Sequence, residues 1–502
     1  MTSQAKPLRI KRLTLTDFRA FPGPAPVHFD LDGKNLLVYG ENGAGKSSVF
    51  HALAGFFSLK PSRSLREHKN VFSGQADTSC CVSVEFTDGT AAVDWSVSRH
   101  PGTIGNKSTD LRVTEAALRR ACLDYRSLLD TNYRHGHGPV NLFSTAVENL
   151  LQDYSVTVSG GQATTIGELW AKVQRSMPSQ HTTAAITRIN QACLEFNTAF
   201  REAIPVLLPH IQAMLQALGW QDIEIRGMNT PGLTYKNARL KQGRVIEGQV
   251  LTPELFFRGH PLKTPQVFLN EARLSALGLA IYLAGRKACI PTASVNALKL
   301  LVLDDVLIGL DHSNRLPVLD VLHTHFADWQ VVLLTHDKTW FDLARERLPK
   351  DDWVCCEVYE GDPAATAPMP IVRPTMNKPA RALLLKADEL IKLGYVEAAA
   401  NYARQAFEIG LRVACELKKI KLNFVQDSTD HKAQIFLDAL KDWKVSGTLK
   451  QADWDAAINR LELMKNVVMN PYSHPSAPNI PKQEVTDAIL AVTNFLNLAT
   501  TK

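Results

Sequence analysis

Between Leu8 and Leu15 apolar residues alternate with mostly basic ones, a period of two that predicts a β-strand with one buried face. Pro22, Gly23 and Pro24 mark a turn. Leu36 to Tyr39 is a short apolar run that leads into a glycine-rich stretch, and from Ser47 the pattern turns helical through Phe50, Leu53 and Phe56. Val82 to Phe86 and Ala91 to Val97 read as a hairpin. The region from about 113 to 220 reads as mostly helical, with apolar residues at helical spacing over Ile186 to Leu218 and breaks expected near Pro205 and Pro209. Strand patterns return at Ile223 to Met228 and Arg244 to Val250, and a helix is expected from Glu271. Two fully apolar strands follow, Leu298 to Leu303 and Trp329 to Leu334. Strands between helices predict an α/β fold with a parallel or mixed sheet. Residues 362–378 are rich in Pro and Ala and read as a linker, and 379–502 read as nearly all helix. The expected domains are therefore 1–361, with a helical insertion at about 113–220, and 379–502.

With 45% hydrophobic and 21% charged residues over 502, the chain is globular and has room for more than one core. No apolar run is long enough to span a bilayer, and the basic N-terminus lacks the apolar core of a secretory signal, so the expected location is the cytoplasm with no membrane partner. The net charge of +6 is spread in short clusters such as Lys418-Lys419-Ile420-Lys421 and does not by itself imply nucleic-acid binding. Eight cysteines include no C-x-x-C spacing, which points to free thiols in a reducing compartment rather than zinc.

The chemistry-bearing stretch is Gly40-Glu41-Asn42-Gly43-Ala44-Gly45-Lys46-Ser47, followed by Ser48. It fits G-x-x-x-x-G-K-[ST] between an expected strand and an expected helix, which is the context the motif requires. Glycines let backbone N–H groups wrap phosphates, and the helix N-terminus favours negative charge. Lys46 would reach the β- and γ-phosphates of ATP, and Ser47 would hold Mg²⁺. Farther on, the apolar strand Leu300 to Leu303 ends in Asp304-Asp305. Asp304 at a strand end suits a Mg²⁺ ligand and Asp305 a group that positions the attacking water. Two adjacent aspartates in isolation would equally fit a turn. Leu310-Asp311 and the strand Val331 to Leu334, ending in Thr335-His336, complete an ordered series.

That order and spacing resemble the ABC-type ATPase heads of the SMC and RecF class. The resemblance covers roughly Leu8 to Gly361. It implies a P-loop head carrying a short helical insertion, with ATP and Mg²⁺ as cofactors and a homodimer closed around ATP. It assigns Asp311 to the D-loop and His336 to the switch position, with Asp305 and His336 as the catalytic pair. The family usually carries Glu where Asp305 stands. The shorter side chain would place the water less well and slow hydrolysis. Leu13-Thr14-Leu15-Thr16-Asp17-Phe18-Arg19-Ala20-Phe21 resembles the opening strand of such heads, which brings Arg19 towards the phosphates. Leu269-Asn270-Glu271-Ala272-Arg273-Leu274-Ser275 stands where the L-S-G-G-[QE] signature is expected. Asn270 replaces the serine and remains a competent cap and hydrogen-bond donor towards a partner's ATP. The same pattern also fits an ordinary amphipathic helix. A Q-loop is not evident, Asn132 being the nearest guess.

Within the class, the drifted signature, the Asp-Asp pair and the short insertion look most like anti-phage ATPases: the Septu subunit (PtuA-like) and the anticodon-nuclease ATPases (PrrC- and RloC-like). The C-terminal region resembles HEPN domains, many of which are RNases. There, Arg404 and Glu408 lie one helical turn apart, and His474 follows in Asn470-Pro471-Tyr472-Ser473-His474-Pro475. The usual upstream arginine is missing, Val467 to Met469 standing in its place. An exposed Arg/Glu pair and a turn histidine explain these residues equally well. The leading expectation is a defence ATPase that dimerises around ATP and gates a nuclease effector docked on it. The alternatives are an RNase with its own site at Arg404, Glu408 and His474, and a RecF-like DNA-repair ATPase with nucleic acid as its partner.

Overall fold

The computed structural model describes residues 7–58, 64–102, 105–125, 128, 140–158, 161, 163–180, 182–238, 240–288, 296–375, 379–422, 433–445, 449–469 and 481–501. It divides into two compact units, Met1–Pro374 and Thr375–Lys502.

The first unit opens with β1 (Ile10–Thr16), whose alternation buries Ile10, Leu13 and Leu15, then β2 (Val27–Asp30) and β3 (Asn35–Gly40). Helix α1 (Lys46–Phe56) follows the glycine loop, and β4 (Cys81–Phe86) pairs antiparallel with β5 (Val93–Ser96). Asp110 caps α2 (Leu111–Ala117), which leads into β6 (Arg120–Asp124). Strands β7 (Ser155–Thr157) and β8 (Ala163–Thr165) form a hairpin before α3 (Ile166–Arg175) and the long α4 (Thr183–Ala217). Next come β9 (Ile223–Asn229), β10 (Thr234–Lys236), β11 (Val245–Glu247), β12 (Thr252–Phe257) and β13 (His260–Leu262). The unit ends with α5 (Glu271–Ala288), β14 (Leu300–Asp304), α6 (His312–His325), β15 (Gln330–Thr335), α7 (Lys338–Arg347), β16 (Trp353–Tyr359) and β17 (Ile371–Thr375).

A six-stranded sheet in the order β17-β16-β3-β15-β14-β6 forms the centre, parallel from β16 to β6. Its central strands β3, β15 and β14 are buried on both faces, which is why they read as unbroken apolar runs. Leu36, Val38, Val302 and Leu334 face a core shared with α1 and the antiparallel sheet β2-β1-β4-β5. Leu37, Tyr39, Leu303 and Leu333 face the opposite core, built largely from α3 to α7. Gln330 braces the two sheets. Its side chain accepts from the Ile10 N–H (2.6 Å) and donates to the carbonyls of Ile10 (3.0 Å) and Lys34 (2.7 Å).

Three features differ from the sequence reading. Region 113–220 is less helical than expected, because β6 is a strand of the central sheet and β7-β8 is a hairpin. Its longest helix is not broken at Pro205 or Pro209. α4 runs through both, and each lies on the exposed side, where a carbonyl without its amide partner can be hydrated. The stretch read as a linker carries β17, the edge strand beside β16.

The second unit is all helix among its described residues: α8 (Pro379–Lys392), α9 (Val396–Leu417), α10 (Ala433–Asp442), α11 (Gln451–Met464) and α12 (Lys482–Thr500). It has its own core around Phe407, Leu411, Trp454 and Phe495, and the Trp454 indole N–H donates to the Leu440 carbonyl at 3.0 Å.

Candidate nucleotide site

The parallel register brings the C-terminal ends of four strands to one edge. Asp304 stands opposite Leu334 on one side and Asp124 on the other, and Thr335 stands opposite Tyr39. Ligands of open α/β sheets bind at this edge. The loop from Gly40 turns there into α1. Gly45, the residue before the helix, has φ 105° and Gly43 has φ 92°, both in the left-handed region that favours glycine. Gly40 is required for a different reason: a Cβ there would lie 2.7 Å from the Val358 carbonyl oxygen.

Lys46 is buried at the start of α1. Its Nζ donates to the Glu41 carbonyl at 3.1 Å and lies 3.9 Å from Asp305 Oδ2. A cavity of about 440 Å³ opens over it, lined among others by Asn42, Ser47, Ser48 and Arg19. The Ser48 hydroxyl accepts from the Ala20 N–H at 3.3 Å, which ties the segment after β1 to α1. Arg19 has φ 50°, its N–H donates to the His68 carbonyl (2.6 Å), and its guanidinium lies 3.5 Å from His68 Nδ1. Glu67, His68, Lys69 and Val71 complete the rim. The sequence reading missed this rim, because its Glu67 and His68 lie in a single 3-10 turn, Leu65–His68, too short to show a period.

Asp304 is 7% exposed, and its Oδ1 has no hydrogen-bond partner among the described residues. Burial pushes its carboxyl up to about 6, with the hydrogen bond from Ser47 pulling the other way and the charge of Asp305 adding to the rise. A buried acceptor without a donor, beside the Ser47 hydroxyl, fits a hard divalent cation. The described residues hold no group of three or more His, Cys, Asp or Glu suited to a metal, and a Ser–Asp–phosphate site needs none.

Asp305 has φ 53°. Its Oδ1 accepts from the His336 N–H (2.9 Å) and lies 2.8 Å from His336 Nδ1. The structure thus brings Lys46, Ser47, Asp304, Asp305 and His336 together. Arg315, which the sequence reading did not single out, links two loops behind them: its Nε donates to the Leu310 carbonyl (2.6 Å) and its guanidinium pairs with Asp337.

Asn270 and Asp311 do not line this cavity. Asn270 is exposed and caps α5, accepting from the Arg273 N–H at 3.1 Å. Asp311 is exposed at the start of α6. Between them, Gly309 packs so closely on buried Ser275 that a Cβ would come within 2.0 Å of the serine oxygen. In the second unit Arg404 Nε donates to Glu408 Oε1 at 3.0 Å on α9, both side chains about a third exposed. His474 and Asn132 lie outside the described residues.

A family model described as RecF/RecN/SMC N terminal domain matches residues 9–350. The chain belongs to that family. Membership implies binding and hydrolysis of ATP with Mg²⁺. No curated protein matches the chain. Among solved structures, RecF with bound ATP, from the RecFOR pathway, shares 11% identity over 75% of this chain and 100% of its own, with a TM-score of 0.45. An SMC head bound to the C-winged helix domain of ScpA shares 12% over 73% and 98%, TM-score 0.38. The Pyrococcus furiosus Smc head with an extended coiled coil, bound to the ScpA C-terminal domain, shares 14% over 77% and 99%, TM-score 0.38. Likeness at this level carries no functional information. Among the described residues no helix is long and apolar enough to cross a membrane.

Proposed function

We propose that this protein is an ATP-gated clamp in which two copies close around two ATP molecules, each site joining the Lys46 cavity of one copy to Asn270 and Asp311 of the other. The observation that carries this reading is the separation within one chain. Lys46, Asp304, Asp305 and His336 converge, whereas Asn270 and Asp311 are exposed at helix starts away from their cavity. In each site Gly40 to Ser48 and Arg19 would hold the phosphates. Ser47 and Asp304 would hold Mg²⁺, which would neutralise charge on the β- and γ-oxygens. Asp305, oriented by His336, would position water. Because Lys46 and His336 both engage that short carboxylate, turnover is slow and ATP acts mainly as a latch. The family match favours DNA as the client, as for a RecF-like repair ATPase.

A second reading keeps the defence role, in which the clamp gates a nuclease. It is supported by the separate helical unit beyond residue 374, which has its own core and lies outside the family match. In that reading the unit docks an effector, or itself cleaves RNA through Arg404, Glu408 and His474.

Light scattering of the full chain with and without Mg·ATP tests the clamp. The mass should double with nucleotide, Lys46→Ala should remove the change, and Asn270→Ala should bind ATP without doubling. A chain that binds ATP and keeps its mass at every concentration is no clamp. ATP-dependent DNA binding that weakens steeply with salt separates the first reading from the second.

A further inference from the structure

We propose that the β10–β11 hairpin is a grip for duplex DNA, its basic tip entering the major groove with Leu240 against the base edges. This rests on the reading of DNA as the client and assigns the contact to one element away from the nucleotide site.

The positive charge of the chain is concentrated here. Residues 223–263 hold seven Lys and Arg against three acids, so these 41 residues carry +4 of the net +6. Residues 237–244, between the two strands, include three basic side chains and no acid. Leu240 stands in that stretch and is 74% exposed, and Val245 at the start of β11 is exposed as well. Apolar side chains among cations complement a surface that is charged at its rails and partly apolar between them. A DNA groove bounded by phosphates is such a surface.

The base of the hairpin is fixed while its outer face stays open. Tyr235 and Ile246 pair across it and pack on the core of the first unit. Asn197 of α4 holds Leu233 by both backbone groups, accepting from its N–H (2.6 Å) and donating to its carbonyl (2.9 Å). Gly232 and Gly248 approach so closely that a Cβ on Gly248 would lie 2.0 Å from the Gly232 carbonyl oxygen. On the other face Thr234, Lys236, Val245 and Glu247 are exposed, with Lys236 and Glu247 joined by a solvated ion pair at 2.8 Å. Such a pair is weak, so Lys236 can exchange its carboxylate for a phosphate. Arg201 of α4 is exposed beside Gly232 and has no ion pair among the described residues. Two strands about 4.8 Å apart make a ribbon that the major groove of B-DNA, about 12 Å wide, admits. The deep, narrow major groove of A-form RNA does not admit it. Within the DNA groove the apolar feature is the thymine methyl, which is what Leu240 meets.

The test is fluorescence anisotropy of the full chain with Mg·ATP, on poly(dA·dT), poly(dA·dU) and duplex RNA over a range of salt. Wild type is compared with Leu240→Ala, Leu240→Met, Arg201→Gln and Lys236→Gln, and with Lys386→Gln in the second unit as a control. Wild type should bind the thymine duplex about threefold more tightly than the uracil duplex. Leu240→Ala should lose that preference and Leu240→Met should keep it. Arg201→Gln and Lys236→Gln should weaken both DNA duplexes alike and each lower the slope of log affinity against log salt by about 0.9. Lys386→Gln should match wild type. Wild-type affinity and slope in the hairpin variants overturn the proposal, as does a thymine preference that survives Leu240→Ala, or RNA bound as tightly as DNA. Retained Mg·ATP binding shows that each variant is folded. If wild type binds no DNA at all, the client reading fails and takes this proposal with it. If wild type binds DNA and the hairpin variants do so equally, this proposal alone fails.

Discussion

Asp305 stands on a left-handed backbone, with φ 53°. Asp and Asn tolerate that conformation better than longer side chains do. This gives a physical reason for the short acid where the family usually has Glu. Asp305→Glu should therefore change two quantities in opposite directions. Steady-state ATP hydrolysis should rise, because the longer arm reaches farther over the phosphates, while the melting temperature falls by a few degrees from backbone strain. Unchanged turnover would remove chain length as the brake. Asp304 yields a pH prediction. Its carboxyl is raised from 3.8 to about 6, so the native chain holds this proton more tightly than the unfolded chain does. The contribution of this group to stability is full below pH 3.8 and is lost as pH rises through 6. Between pH 5 and 7.5 the nucleotide-free wild type should lose more of its melting temperature than Asp304→Asn does, and parallel curves would contradict the shift. The thiols lie at the other extreme. Burial pushes Cys80 and Cys81 each up to about 12, so neither should react readily with alkylating reagents in the native chain.

Among the elements, the sheet brace at Gln330 is the most exposed to a single change. Gln330→Ala leaves backbone groups of Ile10 and Lys34 buried without their partner and should cost about 3 kcal/mol, read by denaturant unfolding. The contact of Gly309 with Ser275 couples the loop before α6 to helix α5. Gly309→Ala should destabilise by about 2 kcal/mol through overpacking, and Ser275→Ala should recover part of the loss. Additive effects of the two changes would mean that the loop yields freely. At this scale the sequence was legible wherever period and motif agreed. The alternation of β1, the glycine loop between β3 and α1, and the apolar strands β14 and β15 ending in Asp304 and Thr335-His336 all lie where pattern places them. β6 escaped because Ala121, Cys122 and Leu123 are too few and too small to stand out from their helical surroundings. The unbroken α4 escaped because its prolines face solvent, where their cost falls, and this orientation shows only in three dimensions. The pocket rim from Glu67 to Val71 is tertiary in origin.

The whole molecule consists of two bodies joined by one stretch of chain, each with its own apolar core. The sequence announced both, the first by ordered motifs and the second by helical periodicity. The chemistry of the second stayed closed to it, since an Arg404–Glu408 pair one turn apart looks the same on a solvated face and in a catalytic one. Limited proteolysis should cut between β17 and α8 and leave two resistant fragments. Adding Mg·ATP should slow further digestion of the first fragment and leave the rate for the second unchanged. A protein that resists cleavage there would show that the two bodies behave as one.

The last strand of the first unit begins at the phosphate loop. Pro370 is buried, and its Cγ would stand 3.6 Å from a Cβ placed on Gly45; β17 starts at the next residue and is separated from β3 by β16 alone. The chain leaves for the second unit at the end of that strand. Mechanically, Pro370 to Thr375 is a short segment with one end beside the phosphate loop and the other at the boundary of the first unit. A pull on the helical unit peels an edge strand first, then works against the proline that backs Gly45.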